Sequence, residues 1–174
     1  EFNYIEADAA SSTQIVFSLL KLLNIPLDTQ IANSLYAGLA DDTGRFSFSN
    51  TNHKTLAVAA ELVKGGAQID EVANLLYFSI PARVLRLRAI ALSEFKTVCQ
   101  GNIALISVTQ EMLSLCNATA EDSEGLVDEA RSLENTIGAI FMRQIDNEKW
   151  KLSLRSKVDV LNVQAVAAEF DGGG

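Results

Sequence analysis

The sequence predicts an α/β chain in two parts, a mostly helical segment over residues 1–92 and a small mixed-sheet domain with helices over 93–174. Three observations carry this expectation. Of 174 residues, 48% are hydrophobic, which suffices to bury a core and is too many for a disordered chain. The formal charge of −8 is unevenly spread, with 7 basic and 9 acidic side chains in residues 1–92 against 7 and 13 in residues 93–174. Helical spacing dominates the first part, whereas β-rich runs enter after residue 100.

Ser11 or Ser12 can cap a first helix in which Ile15, Val16, Leu19, Leu22 and Leu23 form the apolar stripe, with Pro26 following its end. A second helix starts at Asp28, buries Ile31, Leu35 and Leu39, and runs to Gly44 as its natural stop. Arg45–Ser49 alternates with period two and reads as a short strand. Asn50-Thr51-Asn52 can cap the next helix, from about Lys54 to Lys64, which Gly65-Gly66 closes. Asp70 is placed to cap a short helix through Leu76, and Pro81 suits the first turn of a linking helix to about Leu92.

In the second part, Ile103–Val108 reads as a strand, followed by a short helical piece and an acidic helix from Asp122 to about Ser132. Ile137–Ile145 and Trp150–Ser156 form a hairpin around the polar turn Asp146–Lys149, and Asn162–Phe170 is a closing amphipathic helix. The order β, α, α, β, β, α suits a small mixed sheet with helices on one face.

Composition removes several functions. No apolar run reaches the roughly 18 residues of a membrane span and no signal segment opens the chain, so a cytoplasmic protein with no membrane partner is expected. Cys99, Cys116 and the single His53 can make neither a disulfide framework nor a zinc cluster, and thiol catalysis would have to use the one histidine. The acidic balance argues against a long duplex gripped in a basic groove. Without an initiator Met, and ending on Gly172-Gly173-Gly174, the sequence reads as a segment of a longer chain.

Two clusters could carry chemistry. Asp41-Asp42-Thr43-Gly44-Arg45 offers carboxylates at an element terminus, where hard divalent ions find oxygens that stay open to a ligand; two solvated aspartates at a helix end is the plainer reading. Ser153-Leu154-Arg155-Ser156-Lys157 closes a strand, with Ser153 and Arg155 on one face. An arginine fork and a glycine-rich turn could together hold a phosphate, and a charged hairpin edge that resists aggregation is the alternative. Arg83, Arg86 and Arg88 read as a solvated helix face or, less simply, as phosphate contacts. His53 reads as an exposed residue near a cap, and Trp150 as strand packing.

Ala9-Ala10-Ser11-Ser12-Thr13, then Leu35 through Thr51, and finally Leu154-Arg155-Ser156-Lys157 with Ala167 through Gly174 occur in the order of a known family. The sequence resembles the DHH phosphoesterase superfamily, and within it the nano-RNase and pAp phosphatase branch, which is RecJ-like and exopolyphosphatase-related. The resemblance implies that residues 1–92 are the C-terminal part of a DHH catalytic domain and residues 93–174 a DHH-associated substrate-binding domain, cut at its glycine loop. It implies a divalent-metal-dependent hydrolase with a two-metal Mn²⁺ or Mg²⁺ site, acting on 3′,5′-bisphosphate nucleotides (pAp) or short oligoribonucleotides.

By this resemblance Asp42, directly before Thr-Gly, is a metal ligand; Arg155, Ser156, Gly172, Gly173 and Gly174 bind substrate, with Arg45 and Asn50 as softer candidates. Asp171 departs from the family, which usually has another glycine there. The Asp-His-His ligands and the catalytic groups are expected upstream of residue 1, so the chain by itself is expected to be inactive. A homodimer is compatible with the resemblance. Two alternatives remain: a nucleotide- or phosphate-binding module without catalysis, and a phosphodiesterase for the linear dinucleotides of cyclic di-AMP turnover.

Overall fold

In the computed structural model, which describes residues 3–158 and 160–173, Ser11 rather than Ser12 opens the first helix. Its extended backbone and its side chain, which accepts from the Thr13 amide, cap α1 (Ser12–Leu22). Asp28 caps α2 (Thr29–Asp42) through the Ile31 amide, and Asn52 forms a reciprocal capping box with Thr55 at the head of α3 (His53–Lys64). α4 (Ile69–Ala73) begins one residue before Asp70, which lies in its first turn and caps nothing; a π-helical turn, Asn74–Phe78, follows.

These elements form the first of two compact units, which ends at Ser79. Its core joins Phe17, Ala32, Leu35, Leu39, Ala59, Leu62 and Ala67. The stripe expected on α1 is not the buried one. Gln14 and Phe17 point inward, while Val16, Leu19, Leu22 and Leu23 are exposed, because α1 carries two apolar faces and this unit packs against only one. Burial of Gln14 is compensated: its side-chain oxygen accepts the Ala10 amide at 2.8 Å.

Residues 45–49 are not a strand. Gly44, Arg45 and Phe46 have φ of 54, 60 and 64°, three successive left-handed residues that wind a tight turn instead. Alternation of Arg, Phe, Ser, Phe and Ser satisfies the strand pattern, but the described residues of this unit include no strand to pair with it.

The second unit starts at Ile80. α5 (Ala82–Ser93), with Pro81 as its N-cap, packs here through Leu87 and Ala91, so the compact boundary falls before this helix rather than after residue 92. The sheet runs β1 (Lys96–Val98), β2 (Ile103–Val108), β3 (Gly138–Gln144) and β4 (Trp150–Ser156) in spatial order, with β2 and β3 parallel and the outer pairs antiparallel. β1 has only three residues before the positive-φ turn at Cys99, Gln100 and Gly101, too short to leave a period in the sequence.

The parallel crossover from β2 to β3 holds α6 (Gln110–Cys116), a 3-10 turn at Glu121–Ser123 and α7 (Leu126–Arg131). The single acidic helix expected from Asp122 is broken in two by Gly125, at φ 82°. Ala104, Ile106, Val108, Ala139 and Phe141 on one sheet face meet Leu87, Leu113, Leu126 and Val127 of the helices. α8 (Val163–Ala168) is capped by Asn162, whose side chain accepts from Ala165. Cys116 is buried and Cys99 exposed, both as free thiols. No helix among the described residues is long and apolar enough to cross a membrane.

Arg83 and Arg88 face their own unit. Arg83 donates to the two carboxylate oxygens of Asp122 at 2.8 and 3.1 Å, and Asp122 also accepts the Thr119 amide at 2.8 Å. The bond from Arg83, then that from Thr119, hold the Asp122 carboxyl below its ordinary range. A lowered carboxylate adds stability that is complete above the ordinary aspartate value, about pH 4, and is lost as the pH falls through the folded-state value. Asp122→Asn should therefore lower the unfolding temperature of the second unit at neutral pH, the gap closing as the pH falls below the ordinary aspartate value. A gap that persists unchanged in acid would contradict this.

Candidate functional site

α2 ends in the sequence Asp41-Asp42-Thr43, and Thr43 organises the turn after it. Thr43 is fully buried, its hydroxyl donates to the Leu39 carbonyl at 2.6 Å, and the same oxygen accepts the Phe46 amide at 3.1 Å. The Thr43 carbonyl takes the amides of Ser47 and Phe48, each at 3.0 Å, and the Ala40 carbonyl takes that of Arg45 at 2.7 Å. Left-handed backbone is unfavourable for Arg45 and Phe46, so these bonds are what hold the turn in place. A side chain at Gly44 would also meet the Phe48 ring at 2.4 Å.

The turn fixes Asp42. Ser11 donates to Asp42 Oδ2 at 2.6 Å, and Asn50 Nδ2 donates both to the Asp42 carbonyl at 3.1 Å and to the Ala10 carbonyl at 3.0 Å. Asn50 thus ties the start of α1 to the end of α2. Asp42 remains exposed, with one carboxylate oxygen held and the other available. Sequence reasoning misses Ser11 as a site residue; its only trace there is its place in the Ala-Ala-Ser-Ser-Thr stretch, where it reads as a cap.

Arg45 is also exposed. Its guanidinium lies 3.9 Å from the centroid of the Tyr77 ring, a cation–π contact that uses one face of the arginine. Burial, and then the charge of Asp41, push the Tyr77 hydroxyl above its ordinary value against the opposing pull of Arg45. His53, at the first position of α3, is exposed and distant in role from this network.

One carboxylate is not a metal centre. Among the described residues no three His, Cys, Asp or Glu side chains come together as a cation would require. Asp42 fits one corner of a divalent site, having an exposed, hydrogen-bonded carboxylate on a rigid turn, and the described residues do not supply the others.

The second cluster lies in the other unit and is described by itself. β4 presents Lys151, Ser153 and Arg155 on the sheet face that α7 covers, where they line a cavity of about 470 Å³ with Phe141 and Arg143 of β3. The predicted sharing of a face by Ser153 and Arg155 is observed. Arg155 is exposed, with one bond from Nη1 to the Leu154 carbonyl at 3.2 Å. Ser156 points to the opposite face, and its hydroxyl is engaged with the Val158 carbonyl and amide. Lys157 donates to the Leu133 carbonyl at 3.0 Å.

The glycines divide similarly. The Gly172 amide bonds the Ala167 carbonyl at 2.9 Å and so closes α8, whereas Gly173 has open space around it. Gly174 lies outside the described residues. Asp171, at φ 57°, adopts the left-handed backbone for which glycine is the easier residue.

No family model matches this chain. It is 29% identical over 175 residues to the probable bifunctional oligoribonuclease and PAP phosphatase NrnA of Streptococcus mutans, covering 100% of this chain and 55% of that protein. Against the NrnA of Thermus thermophilus it is 30% identical over 170 residues, 98% of this chain and 50% of the relative. Among solved structures, an exopolyphosphatase-related protein from Bacteroides fragilis superposes with a TM-score of 0.86 at 30% identity, over 99% of this chain and 54% of the other. The chain spans about half the length of the curated relatives it matches.

Proposed function

We propose, from the premise that this chain is a relative of the nano-RNase and pAp phosphatase branch of the DHH phosphoesterases, that it is part of a divalent-metal-dependent phosphoesterase acting on pAp and short oligoribonucleotides. The observation that carries the reading is Asp42. It directly precedes Thr-Gly, it sits at the mouth of a left-handed turn, and Ser11 fixes one of its oxygens at 2.6 Å. Asp42 would hold one edge of a Mn²⁺ or Mg²⁺ pair, the remaining ligands coming from residues outside this segment. Such ions, when bound, supply an activated water and neutralise charge on the phosphoryl oxygens.

The chain's own residues bind and orient. Asn50 holds the two helix ends that frame Asp42. Arg45, pinned over Tyr77, offers its remaining donors at the rim of the same turn. In the second unit the Arg155 fork and the open backbone at Gly173 are suited to a terminal phosphate, while Ser156 and Gly172 shape the strand end and the helix end that present them. Holding the phosphate in place lowers the entropic part of the barrier.

A second reading, a nucleotide-binding module without catalysis in this segment, is favoured by the lack of a three-ligand cluster among the described residues. Calorimetric titration of the chain with pAp, with and without Mn²⁺, separates the two. Binding strengthened by Mn²⁺ and weakened in Asp42→Asn supports the metal reading. Binding indifferent to both favours the module, and no binding of pAp under either condition removes both.

A further inference from the structure

Gly38 lies inside α2, one turn before Asp42 and on the same face of the helix. Glycine is unfavourable in a helix interior relative to alanine, so its presence there calls for a reason. Distance supplies it. A Cβ at this position would stand 2.6 Å from the Cγ2 methyl of Thr13, in the first turn of α1. The missing side chain is what lets the start of α1 lie so close to the end of α2.

Thr13 in turn reaches Asp42 through Ser11. The hydroxyl oxygens of Thr13 and Ser11 are 2.8 Å apart, and Ser11 donates to Asp42 Oδ2 at 2.6 Å. A carboxylate only accepts and a serine hydroxyl has one proton, so that proton goes to Asp42 and Thr13 is the donor to Ser11. Ser11 Oγ also accepts the Thr13 amide at 3.2 Å. Hydrogen bonds linked in this way polarise one another, so the Thr13 hydroxyl both aims and strengthens the bond from Ser11.

We propose that Gly38 and Thr13 are positioning residues for Asp42 and act on it through Ser11. Gly38 admits the Thr13 methyl, Thr13 orients the Ser11 hydroxyl, and Ser11 fixes the carboxylate. A methyl group at position 38 leaves two responses. Either the start of α1 moves off α2 and stretches the bond from Ser11 to Asp42, or Thr13 turns about its Cα–Cβ bond and carries Oγ1 away from Ser11. Both end at Asp42. Thr13→Ser removes the obstructing methyl and keeps the hydroxyl. The Thr13 atoms then nearest a new Cβ at position 38 are 3.8 and 4.0 Å away, which is ordinary contact. The proposal rests on the metal reading of Asp42 for its effect on Mn²⁺, and on geometry alone for its effect on folding.

The test measures Mn²⁺ binding by the whole protein, from the electron paramagnetic resonance signal of the free ion, together with the unfolding temperature in the absence of metal. Gly38→Ala should bind Mn²⁺ about tenfold more weakly, the lower end of what loss of an outer partner of a ligand does. Thr13→Val, which keeps the methyl and loses the donor, should weaken binding by about the same factor. The Gly38→Ala/Thr13→Ser double variant should return to within about twofold of the parent and melt above Gly38→Ala, whereas unrelated structural losses would add. Parent-like affinity in Gly38→Ala would overturn the proposal, as would a double variant no better than Gly38→Ala. Parent-like affinity in Thr13→Val would overturn the step from Thr13 to Ser11. If Gly38→Ala fails to fold, the double variant decides: recovery of fold and affinity upholds the proposal, and continued failure overturns it. Asp42→Asn binding Mn²⁺ as tightly as the parent would instead defeat the metal reading. The metal-free unfolding temperatures then decide alone, a double variant melting above Gly38→Ala upholding the contact and one melting no higher overturning it.

Discussion

On the proposed reading of the chain as part of a metal-dependent phosphoesterase, Asp42→Asn is expected to remove Mn²⁺-dependent release of phosphate from pAp by the whole protein while leaving the fold in place. The substitution is isosteric, and the remaining amide oxygen can still accept from Ser11, so the 2.6 Å contact that fixes the side chain survives. What is lost is the negative charge that a hard divalent ion requires. Loss of an outer partner of a metal ligand typically costs about 10- to 100-fold in affinity or activity, and loss of the ligand itself should exceed that. Ser11→Ala provides the graded comparison. It keeps the carboxylate and frees its orientation, so activity should fall within that 10- to 100-fold range, with higher Mn²⁺ recovering part of it. Ser11 also caps α1, so its removal should lower stability by about 0.5–2 kcal/mol, a loss that Asp42→Asn should not show. Full phosphate release by Asp42→Asn at low Mn²⁺ would end the metal assignment.

How much of this is legible in the sequence depends on whether the controlling interaction is local. Asp28 and Asn52 bond to amides two or three residues on, so their capping roles are visible in sequence. The α/β class and the small mixed sheet with its helices follow from the order of periodic segments, which β-rich and helical spacing mark well. The turn at 44–46 defeats the same reasoning. Its residues alternate like a strand, and what decides their conformation is the Thr43 hydroxyl and carbonyl gathering amides from the residues around it. The face of α1 is likewise undecidable, since two apolar faces exist and packing alone selects Phe17 over Val16 and Leu19.

At the candidate site, the resemblance and alternation together single out Asp42 and Arg155 as candidates. They cannot show that Ser156 turns its hydroxyl back to Val158, or that the Gly172 amide is already bonded within the α8 terminus. Ser11 lies 31 residues from Asp42, and its role depends on the helix pairing. Arg143 and Lys151 are within reach of the sequence: extending the Arg155 alternation back to Lys151 and folding the hairpin about Asp146–Lys149 sets them side by side. The carboxylates of Glu121, Glu124 and Asp128 that line the same cavity come from the crossover between β2 and β3, and only the structure brings them there.

Thr43→Val should be the most damaging conservative change in the first unit. Valine matches threonine in shape, so the site, which has no exposed surface, is not overfilled. The hydroxyl, however, donates to the Leu39 carbonyl and accepts the Phe46 amide in the same buried place. Leaving buried polar groups unpaired costs about 1–3 kcal/mol each. The Phe46 amide is the more serious loss, since it belongs to a non-glycine residue held at φ 64°, a conformation that relaxes once its tether is gone. Relaxation of Arg45 and Phe46 would shift the turn between Asp42 and Asn50, whose side chain bonds the Asp42 carbonyl. The variant should therefore lose about 2–4 kcal/mol in denaturant unfolding, and the Mn²⁺ requirement of the intact enzyme should rise along with it. Thr43→Ser, which retains the hydroxyl, should restore the Mn²⁺ dependence even where it recovers only part of the stability. A valine variant with the parent's Mn²⁺ dependence would show that Asp42 is positioned by α2 and Ser11 alone, and that the left-handed turn has no part in presenting it.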